Sequence, residues 1–370
     1  MEYDKDCVII YIQHFTTSIY YFVTRKDYIM NKFFSYRWTL LLGAVILGGT
    51  IYLANPKSKD PQGVDPVTNQ FTINYDSLID KEDAISKEKE SDLPANLPKS
   101  TILEHGTLDV RNTHFSLNDN IDEVVEKLGI PGKIIDTEYD FKYYIYNNNY
   151  KKLLFIAVKE NRLVGYYTDS IDFDLGGISS GSSLDEVNQV LGSNYTMEEV
   201  ITHHTDSYTL HILMDQAGSG LVTGIYLLDN QVSLDEYSED VNKNVELLVY
   251  DLTNSIRARH HIPILSWSSS ASNSARKHST DMAIRRYFDH IDPDGKTPGD
   301  RLREEGVYFT SVGENIIAGY GTAIFSTHGW FNSQAHREVI LNENYRYLGV
   351  GFRYYPSSTY ETYITQIFYR

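Results

Sequence analysis

The sequence predicts an α+β protein with two folded domains behind an apolar amino-terminal run. Three observations predict it. A degenerate repeat in the middle of the chain twice pairs a short capped helix with several strands. Residues 242–370 read as helices first and strands last, with no β-α-β crossover, which is an α+β order rather than a parallel sheet. Residues 38–54 carry no charge at all.

The apolar run WTLLLGAVILGGTIYLA comes first. As a helix it spans about 25 Å, near the short limit for crossing a bilayer. Tyr36, Trp38 and Tyr52 sit where interfacial aromatics belong. Lys32 and Arg37 precede the run and Lys57 and Lys59 follow it. The bias favours residues 1–37 inside and the carboxyl bulk outside the membrane. Met30 opens a second arrangement, in which MNKFFSYR is a basic region before a signal-like apolar stretch and residues 1–29 are an over-long start. Cleavage would then release a secreted protein, although no A-x-A site follows. A buried core helix is the bland alternative, and the polar stretch behind it argues against that.

Residues 55–100 read as a disordered linker. NPKSKDPQG, KEDAISKEKESD and LPANLPKS are charged, poor in apolar residues and punctuated by proline. Such a segment buries too little to offset its ordering entropy.

The 370 residues are 41% hydrophobic and 22% charged, ordinary for a globular chain. The single cysteine, Cys7, excludes an intramolecular disulfide framework and a structural Cys-zinc site. Of the net −17, residues 55–244 carry 15 Lys/Arg against 33 Asp/Glu, while residues 245–370 carry 13 of each. An acidic middle and a neutral end exclude nucleic acid as a partner, because phosphate binding needs a concentrated basic patch.

The repeat aligns SLNDNIDEVVEKLG (116–129) with SSGSSLDEVNQVLG (179–192), identical at six of 14 positions. Each copy reads as a capped helix ended by glycine. Strands are expected at 143–146, 153–158 and 163–168 after the first copy, and at SYTLHILMD and GLVTGIYLLD after the second. Residues 101–235 thus form one smaller α+β domain. Gly177-Ile178-Ser179-Ser180-Gly181 matches the G-x-S-x-G nucleophile elbow, but the alignment puts Ser179 opposite Ser116 in a helix lead-in. His203, His204 and His211 lack helical ligand spacing and read as strand or surface residues.

In residues 242–370, an amphipathic helix spans 242–259, with Val245, Leu248, Val249, Leu252 and Ile256 in one stripe. Pro263 ends it. A second helix covers 268–288, with Ala271, Ala275, His278 and Met282 along one side. A loop, YFDHIDPDGKTPGDRL, follows, then a turn at GEN. A helix containing 327–332 comes next, and Ser333 is placed to cap the following turn, which holds His336. LGVGFRYY and TYITQIFYR close the chain as two strands. The acidic junction at 235–240 marks a boundary between 101–232 and 242–370, which are expected to fold separately.

Four blocks in this order, FDHIDPDGKTPGDRL, GEN, WFNSQAHREVIL and LGVGF, resemble the bacterial branch of the CAP superfamily. That superfamily holds cysteine-rich secretory proteins, antigen 5 and the plant pathogenesis-related 1 proteins. The repeat domain resembles the CAP-associated amino-terminal domain of Firmicute membrane proteins. The resemblance implies an α-β-α sandwich over 242–370, an extracellular location and a central cleft lined by His and acidic residues, which binds zinc in some members. It places His290, Glu314 and His336 in that cleft. The plant and animal signature G-H-Y-T-Q is absent, S-P-G-H-R reads Ser333-Gln334-Ala335-His336-Arg337, and no fourth acidic residue matches.

Two imidazoles and a carboxylate suit zinc or another divalent metal with one position open. The same three residues could serve as acid and base without metal. Their plainer roles are structural: His290 capping a loop, Glu314 with Asn315 pinning a turn, and His336 bridging helix to sheet. Arg301 and Arg337 read as ion-pair donors and His278 as a packing residue. With no H-E-x-x-H, no Ser-His-Asp order and no cysteine beyond Cys7, the expected function is a membrane-anchored extracellular binding module. Its ligand would be extracellular or from the cell wall. The alternative is an extracytoplasmic hydrolase acting on peptide or cell-wall substrate in the same cleft.

Overall fold

The computed structural model describes the backbone of residues 7–14, 17–24 and 50–52, and residues 103, 105–235 and 237–370 in full. Residues 1–88 form one unit, in which β1 (Cys7–His14), β2 (Thr17–Thr24) and β3 (Thr50–Tyr52) make an antiparallel sheet. Within the apolar run only 50–52 are described, as a strand rather than the expected helix end, which suits a β-branched and aromatic Thr-Ile-Tyr. The rest of the membrane helix and the linker lie outside the described residues. Among the described residues no helix is long and apolar enough to cross a membrane.

The second unit begins at residue 89 and holds both expected domains. It opens with β4 (Leu108–Val110) and β5 (Thr113–Phe115), and then the helix of the first repeat, α1 (Ile121–Leu128). Four strands follow: β6 (Lys133–Asp136), β7 (Lys142–Tyr146), β8 (Leu154–Lys159) and β9 (Arg162–Thr168). The second repeat enters through β10 (Asp174–Leu175) and β11 (Ile178–Ser179), then runs through α2 (Leu184–Leu191), β12 (Val200–His204), β13 (Tyr208–Met214) and β14 (Val222–Asp229). The repeat is visible at the caps. Asn120 and Ser183, which align, both cap through the side chain, and Gly129 and Gly192 both end their helices at positive φ. An antiparallel sheet, ordered β12-β13-β14-β9-β8-β7-β6, joins the two halves where β14 pairs with β9.

Both faces of that sheet are buried. Leu154, Ile156, Ile212 and Ile225 point toward α1 and α2. Tyr143, Phe155, Tyr167 and Tyr226 point the other way and share a core with α3 (Glu239–Arg259). This accounts for the nearly unbroken apolar run of β8. The two expected domains therefore share this core, because the sheet's second face is completed by the first helix of the next domain.

The rest of the chain supplies β15 (Ser266–Trp267), α4 (Ser269–Arg285), α5 (Pro298–Glu304), β16 (Val312–Ala318), α6 (Ala323–Phe331), α7 (Gln334–Ile340), β17 (Tyr347–Tyr354) and β18 (Thr362–Tyr369). Their sheet runs β15-β17-β18-β16, with β15 parallel to β17, so four strands replace the two expected. α3 covers one face and α4 the other. The glycines of LGVGF make the α4 contact: a Cβ on Gly349 would stand 2.3 Å from the Ala271 carbonyl carbon, and one on Gly351 2.0 Å from the Arg276 nitrogen.

Three local expectations need correction. The GEN segment is a strand rather than a turn, held in register by β18 through Glu314 opposite Ile367. The loop before it contains α5, started by a capping box between Thr297 and Asp300 with Pro298 in the first turn. α3 is not half exposed, because it lies between two sheets. Asp251, Thr253, Asn254, Ser255 and Arg257 are all buried, and of their side-chain polar atoms all but Arg257 Nη2 find partners. Asp251, for example, takes Lys133 Nζ at 2.9 Å, Tyr150 Oη at 2.8 Å and Asn147 Nδ2 at 3.0 Å.

Candidate functional site

The site is built around one buried carboxylate. β16 carries Glu314 with its side chain 1% exposed. A carboxylate that deep needs charged or hydrogen-bonding partners. His290, on the loop after α4, donates Nδ1–H to Glu314 Oε1 at 2.9 Å. Arg301, on α5, donates from Nη2 to Oε2 at 2.7 Å. The same guanidinium fixes the loop, donating from Nη1 to the carbonyls of His290 and Lys296, both at 2.9 Å. Arg301 therefore holds Glu314 and the backbone of Glu314's other partner together. His278, on α4, lies behind, with Nε2 3.0 Å from the Asp289 carbonyl and 3.9 Å from Glu314 Oε1.

His336 is held differently. Ser333 does not cap α7, because its hydroxyl bonds His336 Nδ1 at 2.7 Å instead. The His336 carbonyl accepts from Asn315 Nδ2 at 3.3 Å, which links it to the residue after Glu314. Asn315 also donates to Gln366 Oε1 at 3.2 Å. Among the described residues no hydrogen bond joins the His336 ring to Glu314 or His290.

The three imidazoles are tuned apart. The hydrogen bond to Glu314 raises the pKa of His290, against partial burial. Burial lowers that of His336, and the nearby His290 lowers it further. Burial also lowers that of His278, although Glu314 opposes the shift. His290 thus carries the positive charge most readily of the three.

Glu314 meets an imidazole N–H through one oxygen and a guanidinium through the other, so in this arrangement it holds His290 by a hydrogen bond. Among the described residues no group of three or more His, Cys, Asp or Glu could hold a metal ion.

A cavity of about 420 Å³ opens beside His290 and Glu314, walled by α5 and by Phe309, Val312 and Gly313. His336 does not line it. A smaller cavity, about 260 Å³, lies on the other side of Arg301 and touches His278 and Asp281.

Arg301 and His278 read as structural from the sequence, yet both stand at the carboxylate. A buried Glu in a strand is the signal that a cation must be near, but spacing could not say which. The remaining candidates are elsewhere. Ser179 lies on β11 with its hydroxyl 3.4 Å from that of Ser182. His203, His204 and His211 bond Tyr195, Thr209 and Thr202 within the amino-terminal sheet region.

A helix-covered four-stranded sheet with a His-Glu cleft, preceded by a repeat-built sheet domain, defines a class. Residues 250–368 match the Cysteine-rich secretory protein family, CAP, and residues 117–237 match the CAP-associated N-terminal family. The chain thus carries a CAP domain with a CAP-associated domain upstream. It is 28% identical over 282 residues to the uncharacterized membrane protein YlbC of Bacillus subtilis, covering 65% of this chain and 81% of that protein. It is 37% identical over 107 residues to the uncharacterized protein YkwD of the same organism, covering 29% and 42%. The fold matches an extracellular SCP-domain protein from Bacillus anthracis with a TM-score of 0.60 at 21% identity, covering 77% of this chain and 99% of that one. It also matches a cysteine-rich secretory protein from Staphylococcus aureus with a TM-score of 0.54 at 15% identity, covering 68% and 93%.

Proposed function

We propose that this chain is a membrane-anchored, extracellular binding module whose CAP cleft takes a ligand beside His290 and Glu314. The observation that carries this reading is the state of Glu314. Its two oxygens each accept a hydrogen bond, from His290 and Arg301, and its side chain is only 1% exposed, so it presents little surface to a water or a scissile bond. A general base needs an open lone pair within hydrogen-bond reach of the proton it takes. What remains available is the half-exposed His290 ring at the edge of a cavity. The extracellular setting rests on the apolar run at 38–54 and on relatives described as a membrane protein and an extracellular protein.

The test uses the full-length protein and purified cell-wall and secreted-peptide fractions. Retention of a component that is lost in His290→Ala supports the binding reading. Turnover of that component, abolished by Glu314→Gln with the fold intact, would replace it with a hydrolase. Protease added to intact cells should degrade residues 55–370, and full protection until lysis would sink the topology.

A further inference from the structure

The cavity beside His290 has a cationic wall and an apolar one. Arg303 lines it, with its guanidinium carbon 4.8 Å from the Phe309 ring centroid. Arg303 Nη1 donates to Asp300 Oδ1 at 3.1 Å. Among the described residues Nε and Nη2 have no acceptor. His290 uses Nδ1 on Glu314, and its Nε2 has no partner among the described residues. The one carboxylate in the wall is Glu314, whose oxygens are both held and whose side chain is 1% exposed. The available polar atoms are therefore nitrogens, on a guanidinium and an imidazole. Phe309 and Val312 supply the apolar side. Gly299 leaves a gap at the start of α5 that a side chain would fill, since a Cβ there would stand 3.1 Å from Phe309 Cζ and 3.6 Å from Arg303 Nη1.

We propose that this cavity binds a carboxylate attached to an apolar body, the free carboxyl end of an extracellular peptide. The carboxylate would sit between Arg303 and His290, with the last side chain against Phe309 and Val312. The proposal rests on the cleft-binding reading above and names its ligand class. A guanidinium fork matches the two oxygens of a carboxylate in geometry and charge. Capture of a chain end by a small set of fixed donors is a recurring mode of peptide recognition. A phosphate monoester has a third oxygen and a second charge, for which this wall provides no further cation.

The experiment titrates N-acetyl-phenylalanine, its primary amide and phenyl phosphate into the full-length protein by calorimetry. The acid should bind at least about tenfold more tightly than the amide, the size of one charge-assisted contact. Arg303→Gln should remove that preference and leave the amide unchanged. Arg303 is exposed, so this variant keeps the fold. Gly299→Val should block both ligands by filling the gap, with a thermal scan to confirm that the variant is folded. Equal binding of acid and amide, both blocked by Gly299→Val, overturns the carboxylate and leaves the cleft reading standing. Tightest binding of phenyl phosphate overturns it in favour of a phosphate ligand. Binding unaffected by both Gly299→Val and His290→Ala lies elsewhere and removes both readings. No binding of the acid at about 10 mM, which is weaker than −3 kcal/mol or so, also overturns the proposal.

Discussion

Asp215 and Arg337 form a two-pronged ion pair across the seam between the amino-terminal and CAP domains, one residue from His336. Arg337 Nη1 bonds Asp215 Oδ1, and Nη2 lies 3.1 Å from Oδ2. The Asp215 carboxylate also accepts from Ser219 N at 2.9 Å, and the Arg337 guanidinium stacks 3.8 Å from the Phe331 ring centroid. Neighbouring contacts repeat the link: Asn332 Nδ2 donates to the Met214 carbonyl at 3.1 Å, and His328 Nε2 lies 2.8 Å from the Glu199 carbonyl. The amino-terminal domain therefore grips the α6–α7 corner that carries His336.

Asp215→Ala should destabilise the unit by about 3 kcal/mol, since it leaves a largely buried guanidinium unpaired. Denaturant melts measure the loss, and the His336 ring resonances should shift with it. A variant as stable as the parent, with His336 unmoved, would show that the grip is incidental.

Acid should loosen the same seam. Burial pushes His211, His260 and His328 down to about 4. His211 meets the Phe325 ring and His260 the Phe331 ring, while His328 bonds Glu199. The unfolded chain takes up these protons near pH 6.5, and the folded chain resists until about 4. Stability should therefore fall as pH drops through that window. Glu138, which burial pushes up to about 7, acts oppositely: its contribution falls as pH rises from 4.5 toward 7. The change in melting temperature from pH 4.5 to 6.5 should therefore be less positive in His328→Gln than in the parent, and an identical profile would contradict the burial of that histidine.

Gly351→Ala should destabilise by about 3 kcal/mol, or prevent folding, because its Cβ has no room against α4 and relaxation must separate helix from sheet. A thermal scan decides it. An unchanged melting temperature would mean that the contact is looser than described.

Residues 242–370 expressed alone should be far less stable than the two-domain unit. α3 would expose the face that meets Tyr143, Phe155 and Tyr167. Dye binding and a broad melt are expected. A sharp, cooperative melt matching that of the full chain would show that the shared core contributes little.

Zinc at neutral pH should leave the melting temperature unchanged, because among the described residues no group of three His, Cys, Asp or Glu is assembled to hold it. A rise that disappears in both His290→Ala and Glu314→Gln would overturn this.

Much of the architecture was legible in local chemistry. Asn120 and Gly129 recur as Ser183 and Gly192, so the repeat marked its own helices. The glycines of LGVGF marked a close approach. The strand at GEN was not legible, because Gly, Glu and Asn are poor strand formers. The partner strand decides there, supplying Gln366 for Asn315 and a full antiparallel register. α5 was legible in principle from T-P-G-D, a capping box with proline in the first turn. The polar face of α3 hid its burial: Asp251 and Arg257 look like solvent residues until Lys133 and the Ile340 carbonyl meet them. At the site, His290 and Glu314 stood out as residue types. Arg301 did not, since nothing in a spacing of 13 residues predicts a bond across a loop and a helix.

The position of α3 between two sheets also sets an order of assembly. As the chain emerges amino end first, the seven-stranded sheet is complete by Asp229 but has one bare aromatic face. α3 is the next element made and covers that face at once. β17 and β18, which need the opposite side of α3, arrive only after Tyr347. A newly made chain thus keeps its seven-stranded sheet covered while it waits for its last strands. The accessory domain serves meanwhile as the template on which the first CAP helix is laid down.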